Sequence, residues 1–241
     1  MSKQLDSSKN HRARSGALFS GALLLLPASV FAGSIDLSFG TLPSAQGFTY
    51  TSTSGTPENQ IFSTNGTTLF LNSESLAASA NGGYILSGGY NPAIDTTIDI
   101  VMQVNEGTTA GSNDFQVRGG SELFDFGFSD SGVRIQGSTF VPLTTTSAFN
   151  DYKIFLPGGS GTYSLYQNGI LESSGSAISG SFGAGFLSFG EEDTNGSGSA
   201  EITQLNYTVA PEPASWMLCT LAVSGLALKW RNPESRRRSI R

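Results

Sequence analysis

Along the middle of this chain, apolar side chains recur at every second position. Ile98, Ile100, Met102 and Val104 alternate with Asp99 and Gln103, and Phe124, Phe126 and Phe128 alternate with Asp125 and Gly127. Successive side chains of a strand point to opposite faces, so this spacing predicts half-buried strands and argues against helices. Phe115 and Val117 lead into Arg118, Val133 and Ile135 flank Arg134, and Leu205, Tyr207 and Val209 follow Ile202. Shorter apolar runs at 68–71, 84–86, 151–156 and 186–189 bring the expected total to about a dozen strands, with Gly, Ser, Asn and Pro clustered between them. Only Glu74 to Ala80 has a helical pattern, and Asn81-Gly82-Gly83 ends it. The composition agrees: 30 glycines and 13% charged residues leave few helix formers and many turn formers. The reading is an all-β antiparallel sandwich over residues 33–209.

The sharpest local signal is Asn168-Gly169, set between Thr162–Gln167 and Ile170–Ser174. Both central residues of a type I′ turn need φ > 0, which Asn and Gly tolerate, so a two-residue hairpin is expected with Tyr166 opposite Leu171. This hairpin, the Gly190-Glu191-Glu192-Asp193 segment and a last strand ending at Val209 resemble the C-terminal half of concanavalin A-like and laminin G-like jelly rolls. The resemblance covers residues 150–209 and implies a jelly-roll arrangement of the sandwich.

Charge divides the chain into three parts. Ten of the 13 basic residues lie in the first fourteen or last thirteen positions, leaving Arg118, Arg134 and Lys153 for the middle. Against those three stand sixteen of the 19 acidic residues (all but Asp6, Glu212 and Glu234), so 33–210 carries a net charge of −13. Such a body repels nucleic acid and anionic lipid. The only His is His11 and the only Cys is Cys219, both outside the body. Ser-His-Asp and Cys-His catalysis are therefore excluded there, as are disulfides and zinc or copper sites built from imidazole and thiolate. The expectation is a body with no catalytic residues, structural or adhesive in role, and not an enzyme.

The two ends read as addresses. Lys3, Lys9, Arg12 and Arg14 precede an apolar run from Ala17 to Leu26, and Pro27 and Val30-Phe31-Ala32 follow it. This is the layout of a secretory signal peptide over 1–32, cleaved between Ala32 and Gly33. At the other end, Pro211-Glu212-Pro213 leads into an apolar stretch from Ala214 to Leu228, then Lys229, Trp230 and the Arg236-Arg237-Arg238 cluster. A membrane helix is expected over 214–230, its short reach extended by a snorkelling lysine and an interfacial tryptophan, with the arginines on the cytoplasmic side. The three ordered elements in 210–241 resemble the PEP-CTERM sorting signal of exopolysaccharide-producing bacteria. That resemblance implies an exosortase as processing partner, recognition through Pro211, Glu212 and Pro213, and transit from the inner membrane to the cell surface or extracellular matrix. Extracellular polysaccharide is then the expected contact of the body.

Two constellations offer chemistry within the body. Glu122 and Asp125 are the carboxylates of an alternative reading, a glycoside hydrolase on the jelly-roll frame. Three residues apart on one strand, they point to opposite faces unless a bulge intervenes. Glu191, Glu192, Asp193 and Asn195, ahead of Gly196-Ser197-Gly198, offer the oxygen ligands that suit Ca²⁺, the one cofactor to consider, in a calcium-stabilised adhesive domain. Tyr50, Tyr84, Tyr90, Tyr152, Tyr163, Tyr166 and Tyr207 are candidates for stacking on sugar rings, though most are expected in the core.

Overall fold

Two antiparallel sheets face each other across an aromatic core in the computed structural model, which describes residues 33–76, 80–107, 113–136, 138–191 and 197–210. The signal peptide expected over 1–32, the Pro211–Pro213 motif and the membrane helix expected over 214–230 lie outside the described residues. No helix among the described residues is long and apolar enough to cross a membrane.

The described chain forms fourteen strands, one short α-helix and a single 3-10 turn of helix at Pro43–Gln46. In order they are β1 (Gly33–Asp36), β2 (Thr49–Thr51), α1 (Glu58–Ile61), β3 (Phe62–Thr64), β4 (Leu69–Asn72) and β5 (Gly82–Ser87). They continue as β6 (Thr96–Gly107), β7 (Asp114–Ser129), β8 (Gly132–Ile135), β9 (Thr139–Pro142) and β10 (Asn150–Leu156). The last four are β11 (Thr162–Gln167), β12 (Ile170–Ser176), β13 (Ile178–Glu191) and β14 (Gly198–Val209). Sheet A runs β12-β11-β10-β6-β14-β4-β3, with β1 also paired to β14. Sheet B runs β2-β5-β13-β7-β8-β9. The all-β sandwich expected from the alternation is the observed architecture.

The alternating positions fill the space between the sheets. Ile98, Ile100 and Met102 from β6, with Tyr152 and Ile154 from β10, are buried under sheet A, and Phe124, Phe126 and Phe128 from β7 are buried under sheet B. Rings bridge the layers edge to face: Phe128 meets Tyr152 at 4.9 Å and Phe126 meets Tyr163 at 5.4 Å between centroids. Each buried aromatic contributes roughly 1.5–3 kcal/mol by burial, and each well-placed ring pair about 0.5–1.5 kcal/mol more.

The Asn168-Gly169 hairpin forms as its residues require. Asn168 has φ 51° and Gly169 φ 80°, and Tyr166 pairs with Leu171. The Asn168 side chain also ties the turn to β10, accepting from the Asp151 N–H at 3.0 Å and donating to Asn150 Oδ1 at 2.9 Å. The helical expectation over Glu74–Ala80 is corrected. Residues 74–76 form a turn in which the Leu76 N–H donates to the Ser73 carbonyl, and 77–79 lie outside the described residues. The helix instead follows Pro57, whose fixed φ suits a helix start, with Glu58 in its first turn.

Candidate functional site

Outward-facing side chains on the two sheets differ in how their polar groups are satisfied. On sheet A, pairing sets Tyr166, Lys153, Asp99, Asn206 and Asp36 side by side across β11, β10, β6, β14 and β1. Lys153 Nζ lies 3.4 Å from Asp99, and the Asn206 amide, oriented to satisfy its neighbours, donates to Asp36 at 2.6 Å. That row is internally paired.

On sheet B, the outward positions of β5, β13 and β7 build a trough of about 380 Å³. Gly83 of β5, which pairs with Gly190 of β13, lines its floor. A Cβ on Gly83 would come within 2.9 Å of the Phe189 carbonyl, and one on Gly190, at φ 146°, within 2.6 Å of the Gly82 carbonyl. Only glycine lets the two backbones approach like this, and the missing side chains leave the depression. One wall is the segment 51–53, held by Asn81, whose buried side-chain oxygen accepts from the Thr53 and Ser54 N–H groups at 3.0 and 3.1 Å. The opposite end carries Phe186 and Arg118, paired in register, with the guanidinium carbon 3.9 Å from the ring centroid.

Two donors in this trough are unsatisfied. Arg118 Nε and Ser188 Oγ are both buried, and neither has a hydrogen-bond partner among the described residues. Ser188 is 1% exposed and pairs with Gln116, one step diagonally from Arg118. A buried polar group left unpaired costs about 1–3 kcal/mol, so two such donors in one depression set it apart from the paired row on sheet A. Beneath them Glu191 is fully buried, and its Oε2 accepts from the Ser73 hydroxyl at 3.1 Å.

The carboxylates of the alternative reading are not brought together. Glu122 follows the parity of buried Phe124 and accepts a 2.5 Å hydrogen bond from the Tyr90 hydroxyl, while Asp125 alternates to the other side. Burial, and then the Glu122 carboxylate, push the Tyr90 phenol up, so it serves Glu122 as a donor. Of the calcium candidates, Glu191 ends β13 in its buried bond to Ser73, while Glu192, Asp193 and Asn195 lie outside the described residues. Among the described residues no group of three or more His, Cys, Asp or Glu is placed to hold a metal ion. Nearby, the Glu74 carboxylate holds Glu106 above its ordinary range. Of the tyrosines, Tyr84, Tyr90, Tyr152, Tyr163 and Tyr207 are core residues, and Tyr50 and Tyr166 are half-buried. Gly33 opens β1, opposite Val209, and Ala32 lies outside the described residues.

Sequence reasoning did not find the trough. The available signal was Arg118, one of three cations in a body of net charge −13, two positions from Gln116 on the outward face of an alternating strand.

No protein-family model matches the chain, and no curated protein matches it. Among solved structures, a carbohydrate esterase from Shiga toxin-encoding bacteriophage phi24B is similar over 73% of this chain and 98% of its own, at 11% identity and TM-score 0.52. A sialidase is similar over 74% of this chain and 18% of its own, at 10% identity and TM-score 0.50. An alginate lyase of polysaccharide lyase family 7 covers 65% of this chain and 85% of its own, at 14% identity and TM-score 0.44. At these identities the likeness is one of fold, and it bears out the jelly-roll expectation for the body. It also corrects the expectation that the chain is not an enzyme. That reading treated missing His and Cys as excluding catalysis, whereas this fold is shared with proteins that carry the names of carbohydrate-active enzymes.

Proposed function

We propose that this chain is a carbohydrate-active jelly roll that takes a polysaccharide strand in the trough on the outward face of sheet B. The observation that carries the reading is the pair of buried, unsatisfied donors, Arg118 Nε and Ser188 Oγ, beside the half-buried Phe186 ring. Sugar recognition combines such donors with an aromatic or stacked planar surface, and a shallow open depression admits a chain in its middle as well as at its ends. The names borne by the solved structures of the same fold support action on carbohydrate as well as binding to it.

The test is a panel of acidic and neutral polysaccharides incubated with the full chain, followed both by co-sedimentation and by mass spectrometry of released fragments or acyl groups. Retention of at least one polysaccharide, weakened by Phe186→Ala, is expected. Neither retention nor product from any polymer would overturn the reading.

The sequence of the two ends supports a place for this activity. With a signal peptide over 1–32 and Pro211-Glu212-Pro213 ahead of an apolar stretch, the domain is exported, processed by an exosortase-type enzyme and delivered to the cell surface or matrix. Mass spectrometry of the mature protein checks this: ends near Gly33 and near Pro211–Pro213 are expected, and uncut ends would refute it.

A further inference from the structure

We infer that the trough selects for a carboxylate on the sugar, with Arg118 as its charge partner and Ser188 as a second donor, so that the ligand is a uronate-containing chain. This rests on the glycan reading above and adds the chemical class of the sugar.

Three observations converge on it. First, the Arg118 guanidinium lies against the Phe186 ring, so its plane is fixed before a ligand arrives. Second, its Nε is buried without a partner, and no ion pair to Arg118 occurs among the described residues, where Lys153–Asp99 is the pair present. A guanidinium presents Nε and one terminal nitrogen along a single edge, two parallel donors that match the two oxygens of a planar carboxylate. Third, Ser188 lines the same trough, and its hydroxyl is buried and has no hydrogen-bond partner among the described residues. Because Phe186 pairs with Arg118 and Ser188 with Gln116, Ser188 is a diagonal neighbour of Arg118, at a separation of about 7–8 Å that a long arginine side chain spans. A neutral sugar hydroxyl would satisfy either donor. Only an anion also pairs with Arg118, the one Lys or Arg among the lining residues, while the Glu191 carboxylate of the same lining is engaged by Ser73.

The surrounding charge adds a signature that a basic binding face would not have. The body carries −13, so at a distance it repels an acidic polymer, whereas the contact at Arg118 acts over one hydrogen bond. Raising ionic strength from about 0.01 M to about 0.15 M shortens the screening length from ~30 Å to ~8 Å and removes the distant repulsion first. Affinity for the acidic chain therefore rises over that interval.

The experiment titrates the full chain with three oligosaccharides of equal length: a hexuronate oligomer, its carboxyl-reduced neutral counterpart and a neutral oligomer bearing sulfate esters. Calorimetry is run on wild type, Arg118→Met, Arg118→Lys and Ser188→Ala, with a melting curve for each to show that it is folded. Wild type is expected to favour the uronate over the reduced oligomer by about 10- to 100-fold, the range of a hydrogen bond to a charged group. Arg118→Met is expected to abolish that preference and Arg118→Lys to restore part of it. Equal binding of uronate and reduced oligomers by wild type overturns the carboxylate assignment and leaves the glycan reading standing. So does a preference that survives Arg118→Met, or a preference for the sulfated oligomer. Failure of wild type to bind any of the three, together with every polymer of the wider panel, overturns the glycan reading itself.

Discussion

The outward faces of the two sheets are built from the same alternating pattern, yet one satisfies its own polar groups and the other does not. On sheet A, Lys153 meets Asp99 and Asn206 meets Asp36, each beside its partner in register. On sheet B, Arg118 stands against a ring with no ion pair among the described residues, Ser188 is buried with no hydrogen-bond partner among them, and Gly83 leaves the floor bare. A face that completes its own hydrogen bonds gains little from a ligand. A face with donors left over gains the bonds a ligand supplies, which is why exposed Lys153 and half-buried Arg118 differ in meaning although both stand on outward strand positions.

The widest break in this comparison is expected from alkali, because both faces stand on one core. Burial pushes the Tyr152 and Tyr207 phenols up from 10.0 to about 12, and it raises Tyr84 and Tyr90 in the same direction. The unfolded chain loses these protons first, so the stability they confer is intact below pH 10 and lost as pH climbs from 10 to 12. On the order of 2–3 kcal/mol is at stake per tyrosine. Circular dichroism melts across that interval, with glycan binding followed in parallel, should show fold and binding disappearing together. Retention of the fold at pH 12 would count against a shared core.

A narrower break is aimed at the trough. Gly190→Ala forces a side chain into a positive-φ position and toward the Gly82 carbonyl, at a cost of about 1–3 kcal/mol. Denaturant unfolding should register the loss, and binding of glycan should fall as well, since the new side chain pushes on Gly83, which lines the trough. Unchanged affinity in the folded variant would separate the glycines from the site.

The smallest effect sharpens the comparison from the other side. Lys153→Met removes an ion pair whose partners are 51% and 29% exposed, worth about 0.2–1 kcal/mol. Unfolding should shift by no more than that, and glycan affinity should stay as in wild type. A fall in affinity would place ligand on sheet A and erase the distinction between the faces.

Much of the frame was legible in the sequence because it is local. The spacing of Ile98, Ile100 and Met102 and of Phe124, Phe126 and Phe128 depends only on the pleat, and the Asn168-Gly169 turn only on which residues tolerate φ > 0. The end of the last strand at Val209 was equally visible. Helix α1 was missed although Pro57-Glu58 is a start signal, because one turn is too short for a helical period to register. The trough was not legible for a different reason. It arises where Gly83 meets Gly190 and Arg118 meets Phe186, pairings between segments far apart in the chain. Their register cannot be read from either segment alone. The same holds for Glu122, whose bond to Tyr90 depends on the sheet-end geometry and not on its spacing from Asp125.

Strands β1 and β14 lie side by side, with Gly33 opposite Val209. Gly33 and Val209 are therefore neighbours, so a linker of a few residues could join them without crossing the molecule. A circularly permuted chain opened at Asn168-Gly169 would keep every long strand whole. It would free the trough from any attachment at the old ends, so that glycan capture and surface tethering could be studied one without the other.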